Sequence, residues 1–160
     1  MLRRHMLSMM GLSTAGLVIG CTRPPTASAE TVAPLKLSNS EWKKRLSPAA
    51  YNVLREEGTE HPGTSPLLKE HRKGVFACVA CDLPLFNSDT KYESGTGWPS
   101  FFRAIADHTQ TKRDLAIGYV RTEYHCARCG GHQGHIFDDG PAPTGKRYCN
   151  NGVALKFIAA

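Results

Sequence analysis

The sequence is poor in three features, and each scarcity excludes a class of protein. Its 160 residues are too few for a multidomain enzyme and fit one domain with a modest core. Its six cysteines are few for a secreted scaffold of this length that depends on disulfide bonds. The formal net charge is only +6, and the basic residues are scattered rather than interleaved with aromatics along a stripe, which argues against nucleic acid as a partner.

Glycine and proline are abundant, with 15 and 10 residues respectively. So many turn-forming residues leave little room for long helices, while the charged and hydrophobic fractions are those of a folded chain rather than a disordered one. We therefore expect a turn-rich, mainly β domain.

Residues 1–21 are predicted to direct export rather than to fold. Arg3 and Arg4 precede an apolar run that ends at Cys21 and is short for a membrane span. The stretch Val18-Ile19-Gly20-Cys21 resembles a bacterial lipobox, and the arginine pair resembles a twin-arginine signal. We expect lipidation of Cys21, which would anchor an exported protein at the periplasmic or other extracytoplasmic face of a membrane. The alternative is an incidental cysteine within the leader.

The next segment, residues 22–37, is rich in Thr, Pro, Ala and Ser and is predicted to be a flexible tether. The folded domain is then expected to span residues 38–160.

Two short helices are expected at the start of the domain. Ser40 is the predicted N-cap of a helix that contains Trp42, and Ser47-Pro48 is the predicted start of a second helix that ends at Gly58. Further along the chain, short apolar runs between turn residues predict five β segments. These are Val75–Cys78, Lys91–Glu93, Leu115–His125, His135–Phe137 and Val153–Ile158.

Two C-x-x-C motifs are the strongest metal-binding signal. They are formed by Cys78 and Cys81 and by Cys126 and Cys129, and this spacing lets both sulfurs of a tight turn reach one tetrahedral ion. We expect one structural zinc with a closed, four-sulfur shell. The alternatives are two disulfides, a redox C-x-x-C centre and an iron–sulfur site. A Cys2His2 set that used the second motif and the two histidines after it would leave the first motif without a role.

Once zinc and lipid have taken five cysteines, Cys149 is the one without a role. Its neighbours Lys146 and Arg147 are cationic, and nearby positive charge lowers a thiol's pKa and raises its reactivity. A single cysteine in a β-rich segment is nevertheless, by default, a small buried side chain, so composition alone leaves catalysis open.

His132 and His135 are candidate acid–base groups for such a thiol. In a regular strand they would lie on opposite faces, and Gly134 is a candidate for the bend that brings them together. Trp98, on a loop stiffened by Pro99, is a candidate wall for a small apolar group. The alternatives are structural histidines and an indole that fills the core.

Several motifs, taken in order, resemble the B-type methionine-R-sulfoxide reductases. They are Gly97-Trp98-Pro99-Ser100-Phe101, both C-x-x-C motifs, His132-x-x-His135 with Ile136-Phe137-Asp138-Asp139-Gly140-Pro141, and Arg147-Tyr148-Cys149-x-Asn151. The similarity runs from about Trp42 to Phe157 and so covers nearly the whole domain.

The resemblance implies a zinc-stapled, β-tent-like fold of two small antiparallel sheets with short N-terminal helices. It implies reduction of the R epimer of methionine sulfoxide in oxidised proteins or peptides. By the same resemblance, Cys149 is the nucleophile that becomes a sulfenic acid. His132, His135 and Asn151 order the sulfoxide oxygen and water, and Trp98 receives the substrate methyl.

The sequence departs from the common pattern of this family at several positions. Many members carry a second, resolving cysteine where this chain has Thr96. We therefore expect an external thiol or a thioredoxin-like protein to regenerate Cys149. Asn150 and Gln133 stand where apolar residues are frequent, and Gly63 stands where Phe is common, so the local substrate contacts are left open.

A non-catalytic, zinc-stapled β module that binds a peptide or small ligand is the alternative function. The thiol of Cys149 and the two nearby histidines argue against it. We expect a monomer whose partners are its oxidised substrates, its reductant and, through the lipid, a membrane.

Overall fold

The computed structural model describes residues 32–115 and 118–160. The predicted export signal and most of the predicted tether, including Cys21, lie outside these residues, so both assignments stay predictions. Within the described ranges, no helix is long and apolar enough to cross a membrane.

Two α-helices, three short 3-10 helices (Pro66–Lys69, Ser88–Thr90 and Gly152–Ala154) and nine strands make up the regular structure of the described residues. The helices are α1 (Asn39–Arg45) and α2 (Pro48–Glu56). The strands are β1 (Gly74–Cys78), β2 (Pro84–Asn87), β3 (Lys91–Tyr92), β4 (Ser100–Phe101), β5 (Thr109–Asp114), β6 (Arg121–Cys126), β7 (His132–Phe137), β8 (Arg147–Asn150) and β9 (Leu155–Ala159).

The strands form two antiparallel sheets. One has three strands in the order β2-β1-β9, and the other has six in the order β3-β4-β8-β7-β6-β5. The prediction of a mainly β fold with two antiparallel sheets and short N-terminal helices is therefore confirmed.

Helix α1 begins two residues earlier than the sequence predicted. Its N-cap is Ser38, whose Oγ accepts a hydrogen bond from the Glu41 N–H at 3.4 Å, while the Glu41 carboxylate accepts from the Ser38 N–H at 2.8 Å. This reciprocal pair is a capping box. The prediction of Ser40 as the cap was wrong because only Ser38 has a glutamate three residues later.

Helix α2 begins as predicted. Ser47 is its N-cap, with Oγ accepting from the Ala50 N–H at 3.2 Å, and Pro48 occupies the first helical position. The helix buries Tyr51, Val53 and Leu54, so one face of it covers the core.

The predicted segment Leu115–His125 is wrong in its first half. Strand β6 begins only at Arg121. The described residues before it, 115 and 118–120, lie in the connection from β5, a strand that the sequence did not predict. Leu115 and Tyr119 in this connection are 63% and 58% exposed. These two apolar side chains are therefore exposed and do not mark a buried strand.

The last residues of the predicted tether contact the domain. Val32, Leu35 and Leu37 pack against the core, and the Leu35 N–H donates to the Arg128 carbonyl at 2.7 Å. Contact with the domain thus begins before residue 38, and the predicted segment boundaries stay predictions.

Aromatic side chains join the two sheets. Phe86 stacks on Phe101 with ring centroids 4.1 Å apart, Phe76 meets the edge of Phe101 at 5.0 Å, and Tyr124 meets Phe86 at 6.1 Å. Such pairs contribute about 0.5–1.5 kcal/mol each beyond their buried area. Because they cross between the sheets, they fix the relative position of the strands that carry the candidate site.

Candidate active site and metal centre

The four cysteines of the C-x-x-C motifs converge between the sheets. Their sulfur atoms all lie within 4.8 Å of one another. Cys78 Sγ is 3.7 Å from Cys129 Sγ, and Cys81 Sγ is 3.5 Å from Cys126 Sγ. Cys78 ends β1 of the smaller sheet and Cys126 ends β6 of the larger one, so this cluster links the two sheets.

Each motif forms the same tight turn. The Asp82 N–H donates to the Cys78 carbonyl at 2.9 Å, and the Gly130 N–H donates to the Cys126 carbonyl at 2.8 Å. Both donors have left-handed backbone, with φ of 63° and 66°, which glycine adopts freely and aspartate tolerates. The turn brings the second sulfur of each pair back toward the first.

These distances fit a four-sulfur metal site. Tetrahedral zinc with bonds of about 2.3 Å would hold its sulfurs about 3.8 Å apart, close to the observed separations. A disulfide requires about 2.05 Å, so this arrangement is not that of two disulfides. A metal bound by four sulfurs has no open position, and its role in such a site is to stabilise the fold.

A separate cavity of about 120 Å³ opens on the larger sheet. For scale, an engineered cavity of about 150 Å³ accommodates benzene, so this one suits the small end of a side chain. Its lining residues come from β6, β7, β8 and three loops. They are Thr59, Trp98, Arg121, Gly134, His135, Phe137, Cys149 and Asn151.

Cys149 lies at the centre of this sheet. In strand β8 it pairs with Ser100 on one side and with His135 on the other. Directly opposite residues of an antiparallel pair share a face, with Cβ atoms about 4.5–5.5 Å apart. The register therefore places the His135 imidazole beside the Cys149 thiol.

Burial raises the pKa of the Cys149 thiol above its usual value, although Arg147 and a hydrogen bond from Thr96 both lower it. The sequence predicted a cationic effect from both Lys146 and Arg147. Of these two, only Arg147 acts on the thiol, and the Lys146 ammonium is paired with Asp138. Arg147 is itself held by Asp139, through two hydrogen bonds of 2.8 Å.

The two histidines share a face because of a β-bulge. Tyr124 in β6 pairs with Gly134 and His125 pairs with His132, so Gln133 is an extra residue in β7. The imidazole centroids of His132 and His135 are 5.4 Å apart. The sequence placed the bend at Gly134. That residue instead allows close packing, since a Cβ there would lie 1.9 Å from the Cys149 carbonyl oxygen.

His135 belongs to a charged triad. Its Nε2 lies 2.7 Å from Asp114 Oδ2, and the Arg121 guanidinium lies 2.5 Å from the same oxygen. Burial lowers the pKa of His135, and the Asp114 hydrogen bond partly offsets that effect. A carboxylate that accepts from Nε2 leaves Nδ1 with the imidazole's lone pair.

His132, by contrast, does not line the cavity. It is only 3% exposed, and its Nδ1 lies 2.9 Å from Glu123 Oε1, within ion-pair distance but without the alignment of a hydrogen bond. Glu123 is equally buried and contacts the Lys112 ammonium at 3.1 Å. The structure therefore places this histidine behind His135.

Glu60 positions both remaining candidate residues. Its backbone N–H donates to Asn151 Oδ1 at 2.8 Å, and its carbonyl accepts from Trp98 Nε1 at 3.0 Å. Its carboxylate accepts from the Gly152 N–H at 2.5 Å, while burial raises the pKa of that carboxyl. Their bonds to Glu60 thus fix the orientations of the Trp98 indole and the Asn151 amide, and both residues line the cavity.

Four functional candidates were not predicted from the sequence. Arg121, Asp114 and Glu123 lie on charged strands, and no apolar alternation or motif marks them. Glu60 lies in Gly58-Thr59-Glu60, a stretch within the similarity to the reductases, so that stretch could have identified it.

Comparison with known proteins agrees with this geometry. A model of the SelR domain matches residues 46–159. A relative from Methanosarcina barkeri, named peptide methionine sulfoxide reductase MsrB, is 54% identical over 121 residues, which is 75% of this chain and 85% of the relative. A relative of the same name from Agrobacterium fabrum is 51% identical over 121 residues, which is 75% of this chain and 90% of the relative.

One solved structure, the Mis18 'Yippee-like' domain, has a TM-score of 0.45 at 16% identity and covers 56% of this chain and 98% of its own. A likeness this weak carries no argument. The family model and the sequence relatives suffice: the chain belongs to the SelR family, that of the B-type methionine sulfoxide reductases.

Proposed function

We propose that this chain reduces the R epimer of methionine sulfoxide in oxidised proteins and peptides, with Cys149 as the nucleophile. One observation carries the proposal. Cys149, His135, Asn151 and Trp98 line a single cavity of about 120 Å³, in a chain about half identical to relatives named peptide methionine sulfoxide reductase.

The reaction begins at the Cys149 sulfur. This sulfur attacks the electrophilic sulfur of the sulfoxide and forms a transient S–S bond. That bond and the S–O bond of the substrate then break as the oxygen passes to Cys149, where a new S–O bond forms. The products are methionine and a cysteine sulfenic acid. Atoms and electrons balance, because the thiol loses two electrons and the sulfoxide gains them.

The Cys149 thiol carries the proton that the departing sulfoxide oxygen needs, and the His135 imidazole can transfer it. The pKa of Cys149 is raised and that of His135 is lowered, so at neutral pH the pair exists mainly as thiol and neutral imidazole. Nδ1 of His135 can accept the thiol proton as the sulfur attacks and return it to the departing oxygen. The step therefore requires no proton from solvent.

The walls of the cavity discriminate between epimers. The rigid indole of Trp98 offers an apolar surface to the substrate methyl, while His135 and Asn151 offer polar groups to the oxygen. With the nucleophile fixed between these walls, only one arrangement of methyl, oxygen and peptide-linked chain satisfies all of them. The opposite epimer would place its oxygen against the indole.

Regeneration of Cys149 is proposed to need an external thiol. The four other described cysteines gather in the metal cluster, and Thr96 provides no second thiol. A small thiol or a thioredoxin-like protein would attack the sulfenic acid, releasing water and forming a mixed disulfide that a second thiol reduces. Zinc in the cysteine cluster would supply folding energy and no catalytic step.

Outside the described residues, we propose export and lipid anchoring through Cys21. Its support is the lipobox-like stretch alone. The reductant would then face the same extracytoplasmic compartment.

The direct test is an assay of the purified protein with dabsylated methionine-R-sulfoxide, its S epimer and dithiothreitol. We expect reduction of the R epimer only, and loss of activity in Cys149→Ser and a large loss in His135→Asn. His108→Asn is the matched control, because His108 lies outside the cavity and its Nδ1 contacts the Pro84 carbonyl. Equal rates with both epimers, or an active Cys149→Ser variant, would overturn the proposal.

A further inference from the structure

Two buried polar side chains have no part in the proposed reaction. Gln133 and Asn150 are both 0% exposed, and a buried amide costs stability unless it is hydrogen-bonded. Gln133 is the extra residue of the β7 bulge, and Asn150 follows Cys149 in β8. Their hydrogen bonds connect the metal cluster with the candidate active site.

The connection begins at a metal-binding sulfur. Gln133 Nε2 donates to Cys78 Sγ at 3.4 Å. Its amide oxygen accepts from Asn150 Nδ2 at 3.5 Å, and Asn150 Oδ1 in turn accepts from the Tyr124 hydroxyl at 2.5 Å. Tyr124 is fully buried, so every member of this chain is held away from solvent.

The same glutamine reaches the active site through its backbone. Its carbonyl oxygen accepts from the Asn151 N–H at 2.8 Å and from Asn151 Nδ2 at 3.0 Å. The bond from the Asn151 N–H continues the β7–β8 pairing by one residue beyond Gly134 and Asn150, and the Asn151 side chain adds a second bond to the same oxygen. One residue therefore holds a metal-binding sulfur with its side chain and a cavity-lining amide with its main chain.

We propose that Gln133, supported by Asn150, is a positioning residue that couples the cysteine metal cluster to the placement of Asn151 and Cys149. The donor set of the cluster fits a metal, as its sulfur separations show. A hydrogen bond to a thiolate ligand orients it and stabilises its charge. The same side chain thereby fixes the conformation of the bulge, whose carbonyl orients the Asn151 amide.

Loss of such a partner typically weakens metal binding about 10–100-fold. For Gln133→Met, which keeps an unbranched side chain of similar length but removes the donor, we expect zinc affinity to fall about tenfold. Affinity is measured by competition with a chromogenic chelator. Leu85→Met is the matched control, because Leu85 is equally buried and its replacement removes no hydrogen bond.

A spectroscopic signature separates this role from general destabilisation. In protein loaded with Co²⁺ instead of zinc, the hydrogen bond to Cys78 lowers the energy of the sulfur lone pair. Its removal in Gln133→Met should move the thiolate-to-metal charge-transfer band to longer wavelength. Leu85→Met should leave the band where it is.

The part of the inference that concerns the placement of Asn151 and Cys149 rests on the proposed function. Single-turnover reduction of methionine-R-sulfoxide by the zinc-loaded protein tests this part. We expect Gln133→Met to slow the reductive step several-fold without changing the substrate concentration for half-maximal rate. Asn150→Leu breaks the next link, and the double variant should cost no more than Gln133→Met alone, because members of one network are not additive.

The outcomes are distinct. The coupling would be overturned if Gln133→Met left the zinc affinity and the cobalt spectrum unchanged. It would also be overturned if this variant bound metal more weakly but kept the wild-type reductive rate. Additive effects in the double variant would overturn it too. If Gln133→Met does not fold, Asn150→Leu alone must weaken zinc binding and slow reduction. Wild-type zinc affinity and reductive rate in Asn150→Leu would then overturn the coupling. If wild-type protein reduces no sulfoxide, the proposed function fails, while the metal measurements still test the inference.

Discussion

The protonation of Cys149 and His135 leads to a contrast between two reactions of the same sulfur. Alkylation by iodoacetamide requires the thiolate. Reduction of the sulfoxide, in the proposed step, requires the thiol–imidazole pair to hold one proton in total. The two reactions should therefore depend differently on pH.

The size of the contrast follows from the directions of the two pKa shifts. A cysteine with an ordinary pKa of about 8.5 is only about 3% ionised at pH 7, and burial raises the pKa of Cys149. Its alkylation rate should then rise about tenfold from pH 7 to 8. Because burial lowers the pKa of His135, its imidazole is neutral over the same interval, so the pair keeps one proton and reduction should change less than about twofold.

The assay is single-turnover reduction and iodoacetamide alkylation of the same protein between pH 6 and 9. Thr96→Val should slow alkylation at pH 7.5, because the Thr96 hydrogen bond lowers the pKa of Cys149, whereas Thr96→Ser should preserve it. A reductive rate that rises tenfold from pH 7 to 8 together with alkylation would refute the shared proton. Alkylation that is flat over this range would refute the raised pKa.

Three further predictions concern the cysteines. Metal analysis of freshly purified protein should find one zinc per chain, and circular dichroism should show that removal of the zinc by a chelator unfolds the domain. Disulfides among Cys78, Cys81, Cys126 and Cys129 would contradict this prediction. Thr96→Cys should create a resolving thiol beside Cys149 and speed recycling by thioredoxin. Recycling at the wild-type rate would contradict contact between residues 96 and 149. Mass spectrometry of native protein should find a chain of 140 residues that begins at lipidated Cys21; retained Met1 or unmodified Cys21 would contradict export and anchoring.

Local patterns predicted the parts of the fold that local chemistry determines. The C-x-x-C spacing predicted the four-sulfur cluster, and Ser47-Pro48 predicted the start of α2. Each of these patterns lies within a few neighbouring residues.

The features that the sequence did not predict depend on pairing between strands rather than on a pattern within one strand. Strand β5 has charged, mostly exposed residues, so no apolar alternation marks it, and only its pairing with β6 makes it a strand. The bulge at Gln133 likewise exists only relative to β6. The triad of Asp114, Arg121 and His135 unites three strands, and its members carry no shared motif.

The central claim is that Cys149 alone carries the oxygen removed from the substrate. Its most direct test is peptide mapping after one turnover with methionine-R-sulfoxide and no reductant. The account predicts one mole of methionine per mole of protein and a dimedone-reactive sulfenic acid on Cys149. A disulfide between Cys149 and any of Cys78, Cys81, Cys126 or Cys129, or an unmodified Cys149, would contradict it.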